Sequence, residues 1–108
     1  MEAIDPGALR ERMTPEAAND VPDGAGGVVR SWQAQAPVWA AVRPLSATAG
    51  ERAGRSLDRA RYEVTVRGNR GLKAGMRLLW RGRILDILAT RPLDAGGRYL
   101  LLLCEEQR

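Results

Sequence analysis

Tyr62-Glu63-Val64-Thr65-Val66-Arg67 alternates apolar and polar side chains without a break. Successive side chains of an extended chain point to opposite faces, so Tyr62, Val64 and Val66 share one side of a sheet. The stretch reads as a half-buried strand, and its flanks repeat the theme. Gly68-Asn69-Arg70-Gly71 is a turn sequence. Residues 76–80 then run through Arg81-Gly82-Arg83 into residues 84–89, which predicts a hairpin. Asp94-Ala95-Gly96-Gly97 predicts another reversal, and residues 98–104 return as a strand apolar enough to be buried on both faces. Glu105-Glu106-Gln107-Arg108 reads as a solvated tail, whose two glutamates would face opposite ways on a strand and so share no proton.

Upstream, residues 38–42 form a short apolar strand bounded by Pro37 and Pro44. Residues 46–58 hold Leu57 as their one large apolar side chain and include Gly50 and Gly54, so they read as a long polar loop. A short helix with Arg52, Arg55 and Arg59 on one side is the alternative for this region, and Gly54 weakens it. Before residue 28 the chain is rich in proline, glycine and aspartate, with no sustained period. Leu9 and Met13 share a face of one turn or a brief strand, but Pro15 should end either one. We therefore expect residues 1–27 to be a flexible arm or loop and residues 28–108 to be one domain. The expected fold is mainly β, a small antiparallel barrel or sandwich with a long inserted loop. Trp39, Val64, Val66, Leu78, Ile87 and Leu101 are its expected core.

Composition limits what such a domain can do. The 108 residues allow one small core, one that is compact or completed by a partner. Histidine is absent, which removes the usual general base, the usual zinc ligand and every Ser-His or Cys-His pair. Catalysis is disfavoured, and neither a metal nor a cofactor is expected. Cys104 is alone and ends an apolar strand, so it reads as a buried thiol in a reducing compartment. The longest apolar run, residues 99–104, falls far short of the ~20 residues that cross a membrane as a helix. The first five residues carry two acids and no basic region, so neither a secretory leader nor a membrane partner is expected.

Charge is distributed unevenly. Residues 1–27 sum to −4, residues 28–83 to +9 and residues 84–108 to −1. Sixteen of the seventeen bases are arginine, which suits planar contacts to phosphate but also follows from GC-rich coding. Arg52, Arg55, Arg59, Arg61, Arg67, Arg70 and Lys73 cluster within the basic segment, a balance that favours polyanions. No base-reading module is recognisable, so contact with nucleic acid should run through its backbone. Asp23-Gly24-Ala25-Gly26-Gly27 lacks the preceding strand and the following Gly-Lys of a phosphate-binding loop, and reads as a flexible turn. The three tryptophans supply bulk for a core or a subunit interface sooner than stacking platforms for bases.

The order of these segments resembles the head-tail joining family of tailed bacteriophages, the small head-closure or stopper proteins. The resemblance runs through Gly7-Ala8-Leu9-Arg10, Asp23 with Gly26-Gly27, Trp32, Val38-Trp39-Ala40 and Pro44-Leu45-Ser46 with Glu51. It continues through residues 62–67, Met76-Arg77-Leu78, Gly82-Arg83-Ile84 and Leu103-Cys104-Glu105. At Arg12-Met13-Thr14-Pro15 the chain departs from the longer first strand usual in that family. The arginine-rich coding also fits gene transfer agents, the phage-like particles of some bacteria.

The resemblance implies a β-barrel subunit of a ring of six or twelve copies in the neck of a virion or phage-like particle assembled in the bacterial cytoplasm. A portal or adaptor ring would lie on the head side, a tail terminator or tail tube on the other, and double-stranded DNA in the channel. It further implies that residues 46–58 face the channel with Arg52, Arg55 and Arg59 toward DNA. Leu9, Trp32 and Arg43 become candidates for contacts between subunits. A monomeric β-barrel module that binds nucleic-acid backbone is the alternative reading of the basic segment.

Overall fold

The first two strands lie where the sequence signal is weakest. The structure, a computed structural model, describes residues 9–45, 59–68 and 71–107. They form β1 (Glu11–Pro22), β2 (Val28–Ala34), β3 (Val38–Pro44), β4 (Arg61–Arg67), β5 (Arg77–Trp80), β6 (Arg83–Pro92) and β7 (Tyr99–Glu106). The sheet order is β2-β1-β3-β4-β7-β6-β5, every named pair of strands is antiparallel, and β1 also pairs with β5. That last pairing closes the sheet on itself, which removes the open edges of β3 through β7.

The long β1 makes this closure possible. Glu11–Met13 pair with β3, Thr14–Glu16 with β5 on the opposite edge, and Glu16–Pro22 with β2. β2 and β3 are in effect one strand running back along β1. Between the Glu16↔Ala34 and Met13↔Val38 pairs, three residues (Gln35, Ala36, Pro37) oppose two (Thr14, Pro15), so the ladder gains one residue. This corrects the reading of residues 1–27 as arm or loop, because residues 11–22 belong to the sheet and Met13 and Pro15 are fully buried. Pro15 does not end the strand, for a local reason. The N and C=O of a strand residue point to the same side, and the Pro15 carbonyl accepts 2.9 Å from Gln35 N. Its missing N–H therefore falls opposite the irregular Gln35–Pro37 step, a site where proline is tolerated in a sheet.

The inner face is lined by Met13, Val38, Ala40, Tyr62, Val64, Val66, Leu78, Leu85, Ile87, Leu100, Leu102 and Cys104, with Leu72, Met76 and Trp80 at its ends. Val64 and Val66 lie where the alternation puts them, and Leu78 and Ile87 are buried as well. Trp39 does not: it is 55% exposed and turned outward, between the buried Val38 and Ala40. Leu101 is half-buried, and Leu100 and Leu102 occupy the interior in its place. In both strands apolar residues stand on both faces, so the alternation carries no phase to be read. Burial pushes the Cys104 thiol up to about 12, with Asp86 adding to the shift, which removes thiolate reactivity at neutral pH.

Beyond residue 17 the β1–β2 pair leaves the core. Residues 18–31 are all exposed, and of the whole returning β2 only Trp32 is partly covered. The turn at its tip is well defined. Asp23 Oδ1 accepts from Ala25 N at 2.7 Å and Gly27 N at 3.0 Å, and Gly24 and Gly26 take the positive φ that the tight reversal needs. These donors hold the Asp23 carboxyl below the usual carboxylate range.

Candidate nucleic-acid interface

Strand directions place Leu45 and Arg59, the described residues that flank 46–58 in the chain, at one end of the closed sheet. β3 finishes there at Pro44 and β4 starts at Arg61; Leu45 N donates to Arg61 O at 2.9 Å and Glu106 N to Ala60 O at 2.8 Å. The start of β1, the β5–β6 turn and the end of β7 share this end, so Glu11, Arg81, Arg83, Glu105 and Glu106 converge on it. The β1–β2 ribbon leaves from the opposite end.

Five described arginines on this rim, Arg43, Arg59, Arg61, Arg81 and Arg83, have carboxylate partners. Arg59 and Arg61 share Glu105, at 3.5 and 3.2 Å. Arg43 pairs with Glu63 across the β3–β4 ladder. Arg81 Nη2 lies 2.9 Å from Glu11 Oε1, which also accepts from Trp80 Nε1 at 2.8 Å. Arg81 sits at φ 52° beside Gly82 at φ 76°, the two positive angles of a type I′ hairpin turn. Arg83 grips Glu106 with Nε at 2.9 Å and Nη2 at 2.8 Å, and Nη2 donates to Tyr62 Oη at 2.7 Å. Its guanidinium carbon lies 5.0 Å from the Trp80 ring centroid and 5.6 Å from that of Tyr62, whose rings meet edge to face at 5.5 Å.

This network corrects the reading of Glu105 and Glu106 as solvated. They do face opposite ways, but their side chains are 19% and 23% exposed and both are paired. The Arg83 hydrogen bond holds the Glu106 carboxyl below its ordinary value of 4.5. A carboxylate with a depressed folded-state pKa stabilises the fold above the ordinary range, and that contribution is lost as pH falls through the folded value. Glu106→Gln is therefore expected to flatten the acid limb of stability against pH. Urea midpoints across the acid range measure this, and a slope equal to the parent's would remove Glu106 from the explanation.

Of the three arginines expected on the inserted loop, Arg52 and Arg55 lie outside the described residues. Arg59 stands at the loop's base, half-exposed, with Glu105 as its partner. Among the described residues the cations without an acidic partner are elsewhere: Arg12, Arg67, Lys73 and Arg91 are exposed on the outer face or toward the opposite end. Leu9 is half-buried just before β1, and Arg43 is exposed on β3. Trp32 stacks under Arg77, whose guanidinium carbon lies 4.0 Å from the ring centroid. Sequence reading missed the carboxylates Glu11, Glu105 and Glu106 because only strand register brings them to these arginines. Among the described residues no group of three His, Cys, Asp or Glu side chains is placed to hold a metal.

The described residues thus form a closed antiparallel sheet with a projecting ribbon and a rim of ion pairs. The phage head completion protein family model matches residues 4–107, and the chain belongs to that family. A chain from the virion of a native gene transfer agent particle is 34% identical, with a TM-score of 0.73 over 92% of this chain and 96% of that one. The solution structure of protein SF1141 from Shigella flexneri 2a is 25% identical, with a TM-score of 0.71 over 95% of this chain and 96% of that one. No curated protein matches the chain.

Proposed function

We propose that this protein is a head-closure subunit of a phage-like particle, a structural part with no catalytic role. It assembles into a ring between the portal or adaptor and the tail, helps retain packaged DNA and offers the tail a docking surface. The observation that carries this reading is the family match across nearly the whole chain, together with the 34% identity to a chain of a gene transfer agent virion. The geometry is compatible with it. The strand ends on either side of residues 46–58 are stitched by ion pairs, which hold the two points where that segment joins the sheet.

Arg52, Arg55 and Arg59 supply the contact with DNA in this reading, and the contact is to phosphate, which lets any sequence pass. At the base, Arg59 exchanges its half-exposed pair with Glu105 for a phosphate at small cost, since exposed ion pairs contribute about 0–1 kcal/mol. The Arg52→Glu, Arg55→Glu, Arg59→Glu triple variant is expected to fold and to enter particles, but to lower the nuclease-protected DNA recovered per tailed particle. Unchanged DNA content together with unchanged delivery would overturn the arginine role. Absence of the chain from the neck in a particle reconstruction would overturn the proposal as a whole.

A further inference from the structure

The β1–β2 ribbon is an element without a core. A lone two-stranded hairpin is marginal in water, and this one keeps both outer edges open beyond Glu16, where the pairing with β5 stops. Register sorts its two faces. Asp20, Arg30 and Trp32 lie on one, with Asp20 and Arg30 paired at 2.8 Å. Ala17, Asn19, Val21, Val29, Ser31 and Gln33 lie on the other, which carries no charge at all. Val21 and Val29 are direct partners near its tip and are 46% and 56% exposed.

A matching surface exists on the same chain, out of line with this one. The outer face of β3, β4 and β7 carries Trp39, Ala41, Leu101 and Leu103, tied together by the Ala41↔Thr65↔Leu101 and Glu63↔Leu103 rows. At the β6 bulge, Leu88 adds a side chain 41% exposed beside the residues opposite Leu103. Around this apolar centre stand Arg12, Arg67 and Arg91, which have no acidic partner among the described residues, while the ribbon tip carries Asp23, which has no arginine partner among them. An apolar centre with a charged rim is the anatomy of a protein interface.

We infer that the uncharged face of the β1–β2 ribbon of one subunit seats on the outer β3–β4–β7 face of a second copy of this chain, Val21 and Val29 against Trp39, Ala41 and Leu103. Two different patches of one chain make a head-to-tail contact, which builds a ring where the rotation between copies closes. The inference rests on the proposed ring and specifies the contact that would build it.

The test uses two single-cysteine additions, Val29→Cys and Ala41→Cys, in the full chain. Cys104 stays in place, because it is fully buried and its thiol is pushed up to about 12. Purified particles assembled from a mixture of the two variants are treated with a short bismaleimide. Covalent dimers are expected from the mixture at least several-fold above either variant alone. Dimers from Val29→Cys alone would mean tip-to-tip contact and would overturn the inference. Particles holding the chain as an oligomer that yields no mixed dimers would overturn the docking while leaving the ring intact. Particles in which the chain occurs as single copies would overturn both.

Discussion

Leu78→Ala is expected to cost roughly 2–5 kcal/mol, the range for a leucine truncated in a core that cannot collapse around the void. Leu78 is fully buried and lies on the shortest strand, β5, between Pro15 of β1 and Leu85 of β6, both also fully buried. β5 is also the strand that closes the sheet, so a void there loosens the β1–β5 seam directly. Against a typical total of about 5–15 kcal/mol for a domain, the loss leaves a marginal fold. Trp39→Ala is the informative control. A larger side chain is removed, but it is 55% exposed, and its described polar neighbour is Arg12, whose guanidinium carbon lies 5.8 Å from the ring centroid. Its cost in the isolated chain should stay below ~1 kcal/mol, the usual scale for surface changes. Urea unfolding of both variants decides: equal losses would return Trp39 to the core.

The contrast between these residues shows what the sequence can and cannot reveal. Tyr62, Val64 and Val66 were legible because their neighbours Glu63 and Arg67 are polar, so alternation fixes which side faces in. Val38-Trp39-Ala40-Ala41-Val42 and Leu100-Leu101-Leu102-Leu103 are apolar throughout, and a run with no polar phase hides which half is buried. An outward apolar face is itself the sign of a surface awaiting a partner, so the same ambiguity that misplaced Trp39 marks the proposed docking patch. The strands β1 and β2 escaped for another reason. Their distal halves pack on nothing, so selection for a core leaves no apolar period in them. The available signals were the small inward set Met13, Pro15 and Ala17 and the glycine-rich reversal after Asp23, which is a hairpin turn in the structure. The basic segment does not reveal its ion-pair partners, since Arg61 meets Glu105 and Arg83 meets Glu106 only through the β4–β7 and β6–β7 pairings.

Arg77→Met should weaken the fold through the root of the ribbon, by roughly 1.5–3 kcal/mol, the scale of a hydrogen bond to a charged group left half-made. Arg77 and Glu16 pair at 2.7 Å across the β1–β5 ladder, and their side chains are 18% and 13% exposed, the most buried ion pair among the described residues. The same guanidinium lies 4.0 Å from the Trp32 ring, so one side chain ties β5 to both strands of the ribbon at the point where it leaves the closed sheet. Methionine keeps much of the stem's packing while deleting the charge, which leaves the Glu16 carboxylate partly buried without a cation. Most of the cost should therefore come from that stranded charge. Glu16→Gln alone should cost less, and adding it to Arg77→Met should restore part of the stability, giving a coupling on the order of 0.5–3 kcal/mol in a double-mutant cycle. Amide exchange locates the effect. In Arg77→Met, protection should fall first along Glu16–Pro22 and Val28–Ala34, while Val64 and Leu102 keep theirs. A cycle with no coupling, or protection lost uniformly across the sheet, would mean that the ribbon is held by its own ladder and that Arg77 stabilises the core in general.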